Sequence, residues 1–489
     1  MKKWLLTGLG WLVPLLFAAA QTPAQRYVNQ QLQNGPLKGS VWGVLAVDRD
    51  GNTLCSYNPS QRMTPASNLK LVTTGTALHA FGPDYRFSTE LGYTGEIRDG
   101  VLVGDVYILG HGDPTLGAKD SIATEMGRLF WLWKTLLRNA GIQAIDGRIV
   151  GHGGAYEGNL EHPSWSYDDV GTYYGSGMSA LCFYQNAIDF SVKAGVPGQP
   201  AVVQQTYPQT PWMHVQNLSL TGPAGTGNSL YLYTTDLAPY AEMRGSFATD
   251  RAPKTEHFAN KFGAMTCAWY FWKNLRDTGW PVSGGYADID RNGYVRGKDF
   301  VPSGKAGTPQ PIGSSFSPEL KDIVRETNCR SDNFYAEMLL KLMGETATSV
   351  SVYDSCYVAE NEVLESLGLD LRELRVEDGS GLSRQNWVTP RFLVSFLEAM
   401  RGSPSFPAFL ASLPAAGEGT LRGVLTGSPA APRVRMKSGS MDGVLCYSGY
   451  ILDAEGNPSV TFSILTNNTT AKVADVRAVL VRIISLLAQ

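Results

Sequence analysis

Thr64-Pro65-Ala66-Ser67-Asn68-Leu69-Lys70 is the stretch on which the reading of the chain turns. Pro65 precedes a largely apolar run that Gly82-Pro83 closes, so a helix is expected over 67–81. A spacing of three on a helix sets Ser67 and Lys70 side by side. A serine hydroxyl is a poor nucleophile until a neighbouring base takes its proton. Lysine becomes such a base when burial or a second cation lowers its pKa. One Ser-x-x-Lys is not specific, so its surroundings decide what it means.

Upstream, a short helix is expected over 24–33, then strands Val41–Asp48 and Thr53–Tyr57 across the turn Arg49-Asp50-Gly51. Downstream, 85–109 alternates like strands, with a hairpin turn at Arg98-Asp99-Gly100. Residues 122–139 carry Leu129, Trp133, Leu136 and Leu137 at helical spacing, and Gly141 follows. The stretch 143–300, rich in Gly, Pro, Tyr and Trp, predicts short strands, and 305–311 reads as linker. Ser317-Pro318 predicts a helix start. Helices follow over 332–343, with Phe334, Met338, Leu339 and Leu342 facing a core, and over 389–400. Strands are expected at 434–440, Val444–Leu452 and 460–465, joined by tight turns, before a last helix bearing Val473, Val476, Val479, Val481, Ile484 and Leu487. The two ends of the chain thus read as one domain, 24–88 with 305–489, around a mainly-β insert, 89–304, of two small domains.

Composition excludes several classes. With 489 residues, 43% of them hydrophobic, the chain is neither disordered nor fibrous. A net charge of −3 gives no electrostatic case for nucleic acid. Lys2 and Lys3, the apolar run 4–17 and Ala18-Ala19-Ala20 read as a cleaved export signal, 1–20, too short to span a bilayer. A periplasmic or secreted protein without a membrane span is expected. The six cysteines lie far apart, so disulfides and buried thiols both stay open. No cofactor and no metal site is expected. Asp288-x-Asp290-x-Asn292-Gly293, with Asp299 twelfth, resembles a calcium loop. Arg296 stands ninth, however, and helical flanks are missing, so a strand turn is the reading preferred here.

Two further stretches carry chemistry. Ser331-Asp332-Asn333, between two helices, offers a hydroxyl for proton relay and an amide for a substrate carbonyl. Lys437-Ser438-Gly439-Ser440, on a strand, offers a cation, hydroxyls and a close backbone approach.

Ser-x-x-Lys, Ser-Asp-Asn and Lys-Ser-Gly in this order resemble the signature of penicillin-binding proteins and class A β-lactamases, in which the third element is Lys-Thr-Gly. The 264 residues from Ser67 to Ser331 are too many for a class A β-lactamase. They resemble the low-molecular-mass class C penicillin-binding proteins, the D-alanyl-D-alanine carboxypeptidase/endopeptidase family. Gly112-Asp113-Pro114-Thr115-Leu116, Trp165-Ser166-Tyr167-Asp168-Asp169 with Tyr174-Gly175, and the run Asp378-Gly379-Ser380-Gly381-Leu382-Ser383-Arg384-Gln385-Asn386 are similar to that family too. Ser438 in place of Thr keeps the hydroxyl, while His152-Gly153-Gly154 departs from the family pattern.

The resemblance implies an α+β penicilloyl serine transferase domain, with a five-stranded antiparallel sheet and helices. It implies a serine D-Ala-D-Ala carboxypeptidase, also an endopeptidase, acting on peptidoglycan stem peptides and inhibited by β-lactams. Ser67 would be the nucleophile and Lys70 the base. Ser331 and Lys437 would pass the proton, and Asn333 would hold the acyl amide. The N–H groups of Ser67 and Ser440 would form the oxyanion hole. Lys437 and Ser438 would also face the substrate's terminal carboxylate, and Gly439 and Ser440 would bind the substrate backbone. Asp169 would meet a side-chain amine, Tyr174 would wall the stem, and Arg384 and Asp442 would line the other side. A serine β-lactamase and a catalytically silent cell-wall-binding protein are the alternatives.

Overall fold

Val41–Asp48 and Thr53–Tyr57 form the expected antiparallel hairpin, its turn closed by Gly51 at φ +82°. The computed structural model describes residues 21–33 and 35–489; the export signal read at 1–20 lies outside them. The hairpin forms one edge of a five-stranded antiparallel sheet ordered Thr53–Tyr57, Val41–Asp48, Pro458–Asn467, Val444–Leu452, Val434–Met441. First and last parts of the chain therefore meet in one sheet, as the sequence predicts. Every residue of Val444–Leu452 is buried, because both sheet faces are covered.

One face packs on the terminal helices Pro23–Gln33 and Val473–Leu487, through Val28, Val476, Leu480 and Ile484. The other carries Lys70–Phe81, Leu320–Arg330, Asn333–Thr348 and Pro390–Arg401, with Leu71, Ile323, Leu339 and Phe396 fully buried. A buried Leu or Ile of this kind stabilises by roughly 1.5–3 kcal/mol relative to leaving it in water. In the last helix Ile483 and Leu480 are buried, whereas Val473 is exposed.

Residues 88–316 build a mixed seven-stranded sheet ordered Pro302–Lys305, Tyr294–Gly297, Tyr286–Ile289, Ile149–His152, Val106–Gly110, Ser88–Tyr93, Gln310–Phe316, together with smaller sheets. Three expectations are corrected here. Gln310–Phe316 overlaps the stretch read as linker but is a strand paired with Ser88–Tyr93, and a register shift between Pro311 and Gly313 absorbs both breakers. Gly263–Asp277, expected to lie among short strands, is a helix. Met265, Thr266, Cys267, Ala268, Trp269 and Phe271 are all buried, and the exposed polar residues Lys273, Arg276 and Asp277 come only in its last turns, so its first half reads as an apolar run without a polar face. The helix after Ser317-Pro318 starts at Leu320, capped at Glu319, because the Ser317 hydroxyl instead accepts from the Phe87 N–H.

Met126–Asn139 begins after its cap Glu125, with Phe130 rather than Leu136 fully buried. Asp288–Asp299 takes the strand-turn form: Tyr286–Ile289 pairs with Tyr294–Gly297, and Arg296 occupies both Asp288 oxygens at 2.7 and 3.0 Å. All six cysteines are free thiols, five of them buried. Among the described residues no helix is long and apolar enough to cross a membrane.

Candidate active site

Ser67 sits in a single 3-10 turn, Ala66–Leu69, that leads into the Lys70–Phe81 helix, rather than in the helix itself. Ala66 ahead of it has φ +47°, and Ser331 has φ +60°. Both are left-handed conformations that cost a non-glycine residue about 1 kcal/mol or more and concentrate at functional sites. Two glycines let other backbones close on this turn. A Cβ on Gly439 would fall 2.6 Å from the Pro65 carbonyl oxygen and 3.1 Å from the Ser67 nitrogen. A Cβ on Gly381, φ +81°, would fall 2.0 Å from the Ala66 carbonyl oxygen. The Val434–Met441 strand and the 378–386 loop thus flank Ser67 because these positions have no side chain.

Lys70 is fully buried. Its Nζ lies 3.1 Å from Ser67 Oγ, 2.7 Å from Asn333 Oδ1 and 2.6 Å from the Ser380 carbonyl. Burial lowers its pKa to about 8, against the opposing pull of Asp378, Glu337 and Asp332. Lys437, also fully buried, donates to Ser331 Oγ at 2.9 Å and to the Ser438 carbonyl at 2.7 Å. Burial, and then repulsion from Lys70, holds it well below the usual lysine range. Neither ammonium has a carboxylate at ion-pair distance among the described residues.

The three motifs therefore converge. Asn333, the first residue of its helix, accepts from Lys70 through Oδ1 and donates from Nδ2 to the Tyr174 carbonyl at 3.2 Å. Asp332 caps that helix by accepting from the Tyr335 N–H. A cavity of 440 Å³ is lined by Ser67, Asn333 and Ser440, and on its rim by Asp169, Tyr174, Arg384 and Asp442. Tyr174 and Asp169 stand together on this rim, and partial burial raises the pKa of Asp169. Arg384 reaches the Asp442 carbonyl at 3.4 Å. Lys437 does not line this cavity, and Ser438 donates to Thr420 at 2.7 Å.

Sequence reasoning missed Glu337 and gave Ser380 no role. Glu337, one turn after Asn333, accepts from the Gly379 and Ser380 N–H groups at 3.1 and 2.8 Å and so fixes the carbonyl that receives Lys70. Burial, and then the charge of Asp378, pushes its pKa up to about 8. An acidic residue amid Phe334, Ala336, Met338 and Leu339 was the available signal. Thr420, Tyr173, Leu382 and Met441 were also unmarked. Among the described residues no cluster of His, Cys, Asp or Glu has the form of a metal site.

A model of the D-Ala-D-Ala carboxypeptidase 3 (S13) family matches residues 24–487. A D-alanyl-D-alanine carboxypeptidase of Actinomadura sp. strain R39 is 30% identical over 470 residues, 92% of this chain and 82% of that one. A penicillin-sensitive carboxypeptidase A of Dictyostelium discoideum is 26% identical over 92% of this chain and 87% of its own length. The crystal structure of penicillin-binding protein 4 from Haemophilus influenzae superposes with a TM-score of 0.78 at 24% identity, over 95% of this chain and 98% of that one, and so shares the fold. With the three motifs packed around Ser67 and Lys70 and a family match over nearly the whole length, the chain belongs to the D-Ala-D-Ala carboxypeptidase 3 (S13) family, the low-molecular-mass class C penicillin-binding proteins.

Proposed function

We propose that the protein is a secreted serine-type D-Ala-D-Ala carboxypeptidase, also an endopeptidase, that acts on peptidoglycan stem peptides through an acyl-enzyme on Ser67 and is a β-lactam target. The observation that carries this reading is the set of contacts at Lys70. A neutral amine donates twice and accepts once. Donation to Asn333 Oδ1 and the Ser380 carbonyl leaves its lone pair for the Ser67 hydroxyl, 3.1 Å away. Burial without an ion pair favours that neutral form.

Ser67 Oγ attacks the carbonyl of the penultimate D-alanine while its proton passes to Lys70. Charge builds on the carbonyl oxygen, which the N–H groups of Ser67 and Ser440 meet. The amide C–N bond breaks. The proton that Lys70 took passes by way of Ser331, which Lys437 holds at 2.9 Å, to the nitrogen of the leaving D-alanine, and Lys70 is neutral again. Asn333 ties Lys70 to the Tyr174 carbonyl, so the base and the substrate-reading rim keep one geometry. Water then hydrolyses the Ser67 ester, with Lys70 again as base. Asp169, Tyr174, Arg384 and Asp442 receive the stem, and Ser438, Gly439 and Ser440 the terminal D-alanine.

In this reading 24–88 and 305–489 form the catalytic unit and 89–304 the insert. In support, the five-stranded sheet draws only on the two ends of the chain. Gln310–Phe316 pairs with Ser88–Tyr93 inside the insert's seven-stranded sheet, so the insert runs on to Phe316 rather than ending at 304. The export signal read at 1–20 supports a periplasmic or secreted location. Incubation with a stem pentapeptide and with cross-linked fragments, followed by mass analysis, tests the proposal. Loss of one D-alanine and cleavage of the cross-link are expected. Inertness towards both, or rapid hydrolysis of penicillin in their place, would overturn it.

A further inference from the structure

The turn that carries Asp169 has two sides. Asp169, Tyr173 and Tyr174 line the Ser67 cavity, whereas Tyr167, Val170 and Gly171 line a separate groove of 280 Å³. The groove is walled by four tyrosines, Tyr167, Tyr231, Tyr233 and Tyr240, with Thr234 and Glu242 between them. Tyr167 is 69% exposed and Tyr240 40% exposed, so ring surface stands open to solvent.

The site is fixed in shape. The Tyr231 hydroxyl accepts from the Gly171 N–H and donates to the Tyr167 carbonyl, both at 2.8 Å. Tyr233 packs against Tyr231 at 4.7 Å and Tyr167 at 6.0 Å between ring centres, and the Arg244 guanidinium covers it at 4.8 Å. Arg244 in turn holds Glu242 at 2.8 Å. The Thr234 hydroxyl is buried and has no partner among the described residues.

We propose that this groove holds an amino-sugar ring of the glycan strand from which the stem peptide hangs; the proposal rests on the substrate reading above. A sugar ring has an apolar C–H face and a rim of hydroxyl and amide groups. The exposed rings of Tyr167 and Tyr240 suit the face, and the Tyr167 and Tyr233 hydroxyls with Glu242 suit the rim. Position points to the same ligand. With its terminal D-alanine at Ser67 and its side chain at Asp169, a stem peptide emerges with its amino end foremost, and that end is joined to sugar. The next surface along the same turn is the tyrosine groove. Asp168 stands between Tyr167 and Asp169 in the turn; burial first, and then the charges near it, Asp168 among them, raise the Tyr231 phenol pKa.

The test uses the full chain and the double variant Tyr167→Ala/Tyr240→Ala, neither residue belonging to the catalytic set. Wild type should turn over a disaccharide-linked pentapeptide about tenfold better in kcat/KM than the bare pentapeptide, the scale of one or two stacked rings. The variant should lose that advantage and keep its rates on bare pentapeptide and on benzylpenicillin. Saturation-transfer NMR with a peptide-free N-acetylglucosamine oligosaccharide gives a readout that does not involve Ser67: contact in wild type, none in the variant. Equal wild-type rates on both peptides, no contact by NMR, or equal loss on all three compounds would overturn the groove. Inertness of wild type towards pentapeptide and penicillin would condemn the carboxypeptidase reading instead, and the NMR result would still decide the groove.

Discussion

The two sides of the Ser67 cavity are built differently. On the inner side Lys70 and Lys437 are fully buried, and each spends its N–H groups on fixed acceptors. On the rim Asp169, Tyr174, Arg384 and Asp442 are partly exposed, and the last two are linked only by a long contact to a backbone carbonyl. Burial is what tunes a pKa, so the groups that move protons are on the inner side. A partly solvated rim can adjust to a ligand at small cost but supplies less free energy per contact. Substitutions on the inner side should therefore change the chemistry for every substrate, whereas those on the rim should change the choice among substrates.

The largest effect belongs to Lys70→Ala, which should slow acylation by pentapeptide and by penicillin alike, by about 10⁴-fold, the upper range for a lost general base. Acylation in stopped flow, with circular dichroism to establish the fold, measures it. The sign of the pH dependence follows from the same residue. The pKa of Lys70 is lowered to about 8, and only the neutral amine accepts a proton, so the acylation rate should rise as pH increases through 8. A rate that falls over that interval would put the base elsewhere.

Lys437→Ala should cost about 10²–10³-fold, as for the loss of one preorganised electrostatic contact. Substrates with a free terminal carboxylate and amidated analogues separate its two roles. Equal loss on both would assign Lys437 to proton transfer through Ser331, whereas greater loss on the free carboxylate would assign it to binding. The smallest effect belongs to the rim. Asp169→Asn should lower kcat/KM on a stem peptide with a free side-chain amine by about 1–2 kcal/mol in activation free energy. It should leave the acetylated peptide and penicillin nearly unchanged. Uniform loss on all three would erase the distinction between inner side and rim.

The same contrast explains what the sequence disclosed. The strands at the C-terminal end were legible because Val444–Leu452 is apolar except at Ser448 and Gly449 and tight turns bound it. The helix Gly263–Asp277 was not, because its first half is buried almost all round and its exposed polar residues, Lys273, Arg276 and Asp277, come only in the last turns. Ser67, Lys70, Ser331, Asn333 and Lys437 were legible as three short motifs. Glu337 was not, because it acts by holding the backbone of Gly379 and Ser380, some forty positions away, and only the fold makes that contact. The Lys437–Ser331 contact agrees with the proton path expected from the resemblance, whereas the engagement of Ser438 with Thr420 was not readable.

Intact-protein mass after brief exposure to benzylpenicillin, followed by peptide mapping, should show one adduct, on the peptide that contains Ser67, and Ser67→Ala should abolish it. An adduct of undiminished yield on the Ser67→Ala protein would place the nucleophile elsewhere and contradict the account.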